Sequence, residues 1–282
     1  METPKRRLKE AQRWVLREVL NAVPPHPDVH GFRRGRSART AAEPHVGHAV
    51  LLRLDLEDFF ASVGFPSVYG VFRGMGYNRA VALAMARLCT VEAPRAVLQE
   101  LPPSLENRMA RGRQAMRLRA RHLPTGAPTS PALANLAALR LDIRLKAAAA
   151  KAGATYTRYA DDLAFSGGPE FDATAFAGLV RQIAADAGFR VNDRKTRVAR
   201  KGARQMVAGV VVNERTSMPR GRYDNLKAAL HNCQKHGPLA QANGDLPAFR
   251  AWLVGSVAAA QAIDPVRGGK LAARLALVDW SR

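Results

Sequence analysis

The chain has 282 residues, 47% of them hydrophobic, which suits a globular protein able to bury a substantial core as one catalytic unit with subdomains. Lys and Arg number 44 against 23 Asp and Glu, a net charge of +21 that points to a polyanionic partner, with nucleic acid foremost. No apolar run approaches the roughly 20 residues of a spanning helix and no secretory leader is visible, so no membrane is expected as a partner. Cys89 and Cys233 lie far apart without metal-ligand spacing. They read as small buried hydrophobes in a reducing cytoplasm.

In chain order, residues 4–22 read as a basic amphipathic helix. Leu8, Ala11, Val15, Leu16 and Val19 form its apolar face, and Pro24-Pro25 ends it. His30 to Ser37 is rich in Gly and Arg, which suits a backbone that approaches phosphates; Arg33, Arg34 and Arg36 are its candidate contacts. Ala49 to Leu54 is apolar except for Arg53 and reads as a buried strand ending at Asp55. Val68, Val71, Phe72 and Met75 share helical spacing, with Gly76 as a C-cap, and Ala80 to Leu88 is a second helix. Glu92 to Glu106 is irregular. Arg117, Arg119 and Arg121 alternate with Leu118 and Ala120, which suits a strand with a cationic, phosphate-facing side.

Leu123 to Pro131 reads as a stiffened loop whose Gly126 and Ala127 let a base pair approach the backbone. A helix follows from about Ala132 to Ala149, with Leu133, Leu136, Leu139, Ile143 and Leu145 mostly inward. Tyr156 to Ser166 reads as a hairpin with Ala160-Asp161-Asp162 at its tip. An amphipathic helix carrying Phe176, Leu179, Val180 and Ile183 ends at Gly188, and Phe189 to Asn192 reads as a strand. From about residue 216 three apolar stripes predict three helices: Tyr223, Leu226, Leu230 and Cys233; then Phe249, Leu253 and Val257; then Leu271, Leu275 and Val278. Arg220, Arg222 and Lys227 are expected to face nucleic acid. The succession of strand, helix, hairpin, helix and strand predicts an α+β fold with an antiparallel sheet.

A carboxylate at the end of a buried strand is costly unless paired or metal-bound. Placing Asp55 beside the hairpin tip brings it together with Asp161 and Asp162. Hard oxygen ligands of this kind suit Mg²⁺, and two such ions can stabilise an in-line phosphoryl transfer. The residues alone thus point to a nucleotidyl transferase.

Three ordered boxes then carry a family resemblance. Tyr159-Ala160-Asp161-Asp162 resembles the polymerase Tyr-Ala-Asp-Asp box, Leu54 to Phe60 the first catalytic box, and Leu123 to Pro131 the template and nucleotide box of reverse transcriptases. With His30 to Ser37, they resemble bacterial retron reverse transcriptases most closely. The resemblance implies a right-hand polymerase. Its parts are an N-terminal fingers portion over 1–47, a palm over 48–215 with a fingers segment inserted at about 90–122, and a helical thumb over 216–282.

The implied activity is RNA-directed DNA synthesis primed from a 2′-hydroxyl of a structured non-coding RNA. Deoxynucleoside triphosphates are the implied substrates, with an effector protein and an antiphage role as further implications. The implied site comprises Asp55, Asp161 and Asp162 with the Leu56 carbonyl as ligands of two Mg²⁺ ions. Lys195, in a box resembling Asn-x-x-Lys-Thr, is a general acid or a phosphate-binding lysine. Phe60, Gly126, Ala127 and Tyr159 stand around the nucleotide, Phe60 beneath the sugar as a barrier to ribose, and His45 is an RNA contact.

Ala41, Thr125 and Ala208 depart from the family's Asn, Gln and Thr at the matching places. Pro4 aligns with the proline of the family's Arg-x-Ile-x-x-Pro finger element, so its arginine would precede Met1 and the fingers are expected to be incomplete. The competing readings are another reverse transcriptase lineage, group II intron-like or of an unclassified defence type, and a non-catalytic RNA-binding scaffold derived from a polymerase.

Overall fold

A computed structural model describes residues 2–94, 96, 98, 108–242 and 244–281. Its centre is a four-stranded antiparallel sheet in the order β2-β3-β1-β4. Here β1 is Val50–Asp55, β2 Thr155–Tyr159, β3 Asp162–Gly167 and β4 Arg197–Arg200. The helices are α1 (Arg6–Glu18), α2 (Ala38–Ala42), α3 (Phe59–Ser62), α4 (Phe65–Gly74), α5 (Arg79–Cys89), α6 (Arg108–Arg119), α7 (Ser130–Ala137), α8 (Leu139–Lys151), α9 (Ala173–Asp186), α10 (Arg220–His236), α11 (Leu246–Ile263) and α12 (Pro265–Ala276). A two-stranded ribbon, β5 (Met206–Val207) with β6 (Val210–Val211), links sheet to C-terminal helices.

Strand alternation divides the sheet into two unlike faces. Val50, Leu52 and Leu54, with Leu163, Phe165 and Tyr156, join one core with Leu141 and Leu145 of α8 and Phe176 and Val180 of α9. The opposite face carries Leu51, Arg53 and Asp55 on β1, opposite Ser166, Ala164 and Asp162 on β3. It is partly covered by α2 and the β5–β6 ribbon through a small cluster of Ala42, Leu51, Ala164, Val207 and Val210. The last three helices close on a core of their own, including Leu226, Leu230, Leu253, Val257 and Leu271.

Several expectations change. On α1, Leu8 and Ala11 are exposed, and Gln12 turns inward instead to donate from Nε2 to the Leu88 carbonyl at 2.8 Å. The helix expected over 132–149 breaks at Ala138, where ψ is 2°. The break resets the helical phase, so Leu141 and Leu145 are buried while Leu139 and Ile143 are exposed. Residues 189–192 supply only an isolated bridge from Val191 to Leu56, and the fourth strand comes later, from Arg197–Arg200.

Arg117 and Arg119 lie at the end of helix α6, not on a strand, and the three arginines share no cationic face. The irregular reading of Glu92 to Glu106 falls largely on residues outside those described. Helix α11 is 18 residues with a mean hydropathy of 1.2, long and apolar enough by length and composition to cross a membrane, contrary to the expectation from sequence. Its Leu253, Val257 and Ala260 stripe is buried among α10 and α12.

Candidate active site

Register brings the three predicted carboxylates to one end of the sheet. Asp55 ends β1 directly opposite Asp162, which begins β3, and the Leu56 amide donates to the Asp161 carbonyl at 3.0 Å. Ala160 and Asp161 form the turn, with Ala160 in the left-handed region at φ 57°. That conformation costs a non-glycine residue of order 1 kcal/mol and persists only where surroundings hold it.

A buried polar network holds it. Arg158, next to last in β2, and Asp142, on α8, are both completely buried, joined by Nε–Oδ1 and Nη2–Oδ2 bonds of 2.7 Å each. The Tyr156 hydroxyl donates to Asp142 Oδ1 at 2.8 Å; burial first, and then the Asp142 charge, push its phenol well above the ordinary value. Arg158 Nη1 reaches the Ala160 carbonyl at 2.9 Å and Asn135 Oδ1 at 3.0 Å, and Asn135 Nδ2 donates to the Gly31 carbonyl at 2.9 Å. A Cβ on Gly31 would lie 2.3 Å from the Ala160 nitrogen, so only glycine lets the His30 to Ser37 loop seat against the hairpin tip. Sequence reading missed Arg158, Asp142 and Asn135. The available signal was a charge among the Thr and Tyr residues of a short strand and another among the inward residues of a helix.

Around the carboxylates stand two cations. Lys195 Nζ donates to Asp55 Oδ2 at 3.0 Å, and this bond raises the lysine above its ordinary value. Arg53 Nη2 lies 3.6 Å from Asp162 Oδ1. Asp161 and Asp162 are both raised, chiefly by burial, with the Asp55 charge adding to each; Arg53 and Lys195 oppose this at Asp162. As the side chains stand, no three His, Cys, Asp or Glu groups among the described residues close on a single point. The donor set nevertheless fits a hard divalent cation: all-oxygen, mutually repelling, with Asp55 buried and Asp161 and Asp162 half-buried, and flanked by two cations.

Phe60 is half-buried in α3 with its ring 5.7 Å from that of Phe32, an exposed residue at φ 59°. Phe59 is 5% exposed and packs on Phe189, with the Arg158 guanidinium 5.4 Å from its ring, so it is core and Phe60 is the accessible aromatic. Tyr159 is half-buried opposite Asp162. Gly126 departs from expectation: its amide donates to the Glu2 carbonyl at 3.0 Å, and a Cβ there would lie 2.6 Å from Thr3 Oγ1. The close approach it permits is taken by this chain's own N-terminal residues, and Ala127 is buried.

The expected RNA contact His45 is also corrected. It is 1% exposed and bonded to Ser166 Oγ at 2.7 Å and Thr157 Oγ1 at 2.8 Å, a pin between β2 and β3. Burial lowers it to about 3, so it is held neutral. Arg117 Nη1 binds Asp58 Oδ2 at 3.1 Å, and Arg121 Nη2 binds the Thr90 carbonyl at 2.7 Å. Their partners, remote in sequence, occupy the donors expected to face phosphate; only Arg119 of the three is exposed. Arg33 is half-buried against the His26 and Pro27 carbonyls, whereas Arg34, Arg36, Arg220, Arg222 and Lys227 are exposed.

Comparison with known proteins agrees with this geometry. Residues 3–221 match the family described as reverse transcriptase (RNA-dependent DNA polymerase). The chain is 40% identical over 97% of its length to the retron Mx65 reverse transcriptase of Myxococcus xanthus, and 42% identical over 84% to the Mx162 enzyme of the same organism. It is 31% identical over 86% of its length to the retron Ec86 reverse transcriptase of Escherichia coli. It spans 60%, 50% and 68% of the length of those relatives, respectively. Telomerase from Candida albicans overlays 94% of the chain, and 48% of its own, with a TM-score of 0.42 at 11% identity. The match over most of the chain and the shared identity with retron enzymes place it plainly: this chain belongs to the reverse transcriptase family, among the retron reverse transcriptases.

Proposed function

We propose that the chain synthesises DNA on an RNA template, with Asp55, Asp161 and Asp162 as the metal-binding carboxylates and deoxynucleoside triphosphates as substrates. The observation that carries this reading is the register: Asp55 faces Asp162 across β1 and β3 with Asp161 in the adjoining turn. Like charges opposite one another in a sheet destabilise it, so such a pair calls for a cationic function. Two Mg²⁺ ions, when bound by these carboxylates and the Leu56 carbonyl, would supply Lewis-acid stabilisation of the attacking and leaving oxygens.

The chain's own residues do the rest. Arg158 and Gly31 hold the hairpin tip and so orient Asp161 and Asp162. Phe60 offers an aromatic edge beneath the sugar of the entering nucleotide. Lys195, 61% exposed at the rim, is placed to give a proton to the leaving pyrophosphate. The exposed thumb cations Arg220, Arg222 and Lys227 hold the backbone of an A-like duplex. The likeness to retron enzymes supports a structured RNA as template and a 2′-hydroxyl as the priming group. The two free, buried cysteines fit a reducing, cytoplasmic location.

The test is Asp161→Asn, which keeps shape and removes charge. Primer extension on RNA is expected to disappear while RNA affinity and melting temperature hold or rise, since carboxylate repulsion is relieved. Extension at the wild-type rate would overturn the assignment.

A further inference from the structure

We infer that Arg53 binds the last internucleotide phosphodiester of the priming strand. This rests on the polymerase reading above and names a residue of that site which the catalytic boxes leave out. Arg53 shares a sheet face with Asp55 and stands two residues before it, about 6.6 Å along the strand, close to the length of one nucleotide. Its cross-strand neighbours on that face are Ala164 on β3 and Arg197 on β4. Directly across the sheet it meets a methyl on one side and a second cation on the other, and its acidic neighbour is the diagonal Asp162.

The charge itself needs a reason. Val50, Leu51, Leu52 and Leu54 are all at most 2% exposed, and Arg53 interrupts them. Other arginines of the fold spend donors on the chain. Arg158 bonds Asp142, Asn135 and the Ala160 carbonyl, Arg121 binds the Thr90 carbonyl, and Arg197 Nη1 binds the Arg194 and Thr196 carbonyls at 2.7 and 2.8 Å. Arg53 has one ion-pair partner among the described residues, Asp162, at a loose 3.6 Å, and its side chain is 32% exposed. Asp162 is one of the carboxylates assigned to hold a cation. A guanidinium fork with five donors, beside a carboxylate destined for another partner, matches a phosphodiester in charge and geometry. The priming strand, with its 3′ end at the carboxylates, sets its terminal linkage one nucleotide back, where Arg53 stands.

The experiment uses a DNA primer on an RNA template in which each of the last three linkages in turn is a neutral methylphosphonate. Affinity is read in Ca²⁺ and single-nucleotide extension in Mg²⁺, for wild type, Arg53→Gln and Arg53→Lys. Neutralising the terminal linkage is expected to weaken wild-type binding about tenfold, the scale of one hydrogen bond to a charged group. Arg53→Gln should bind the natural primer as weakly and be indifferent to that linkage, while remaining sensitive at the other two, and Arg53→Lys should recover part of the affinity. Additive losses, or unchanged binding with only a raised Mg²⁺ requirement, would overturn the inference and leave Arg53 as a counter-charge to Asp162. If wild type extends no primer at all, the polymerase reading itself fails; if it extends normally while Arg53→Gln responds like wild type to every linkage, only this inference does.

Discussion

Removing Asp142 separates stability from the placement of the hairpin tip. In Asp142→Leu the Arg158 guanidinium remains at 0% exposure, keeps its bonds to Asn135 and Ala160, and loses both bonds to the carboxylate. Breaking a buried pair from one side leaves an uncompensated charge and costs about 3–5 kcal/mol. At about 2–4 °C per kcal/mol for chains of this order, the melting temperature should fall by roughly 10 °C or more. Asp142→Leu with Arg158→Met removes both charges together. Such replacements are often neutral or stabilising, so the double variant should recover to within about 1–2 kcal/mol of wild type.

Activity should not recover with it. The Ala160 carbonyl has lost its 2.9 Å bond, which leaves the Gly31 seat and the Leu56 amide to hold the tip and its left-handed φ of 57° without the guanidinium. The assay is urea unfolding at matched m-values, paired with single-nucleotide extension. A cost below about 1 kcal/mol for Asp142→Leu would show that the pair is not dry as the structure has it. Recovery of both stability and extension in the double variant would refute the positioning role of Arg158.

Phe60→Val should raise ribonucleotide incorporation at least about tenfold, roughly 1.4 kcal/mol in the transition state, whereas Phe59→Val should mainly cost about 1–3 kcal/mol of stability. Matched deoxy and ribo substrates on one RNA template distinguish them, and loss of discrimination in Phe59→Val alone would shift the box by a residue. His45 is lowered by burial to about 3 and His30, also chiefly by burial, to about 4. Both are neutral when folded but titrate near 6.5 when unfolded, so the stability they contribute is full above about pH 6.5 and drains as pH falls toward 4. Urea unfolding from pH 7 to 4.5 should show the decline, and His45→Asn should flatten it. Replacing Arg220, Arg222 and Lys227 with Ser should shrink the slope of log RNA affinity against log salt by about 2–3, while Arg117→Ser and Arg121→Ser should leave the slope and lower stability. An unchanged slope in the triple variant would place the nucleic acid elsewhere.

The chemistry of this chain is legible in short stretches. Asp55 at the end of an apolar strand, and Asp161-Asp162 between two β-rich arms, are patterns within a dozen residues, and strand alternation brings them to one face once the strands pair. Most helices followed from periodicity for the same reason, but the alternation over 117–121 falls at the end of a helix, residues 189–192 give only a bridge, and the break at Ala138 resets the phase without a mark in the pattern of apolar residues.

Tertiary structure alone decided what these basic side chains do. Arg117 finds Asp58 across 59 residues, Lys195 finds Asp55 across 140, and His45 reaches Ser166 across 121. Side-chain pairing depends on where the chain returns and on which groups are dehydrated there, and neither is encoded by neighbours in sequence. The same arginine-rich run that reads as a phosphate face is therefore, once folded, mostly bound to the protein itself. Arg53, an irregularity in an apolar strand, stands beside the carboxylates of the candidate active site because β1 and β3 pair in that register.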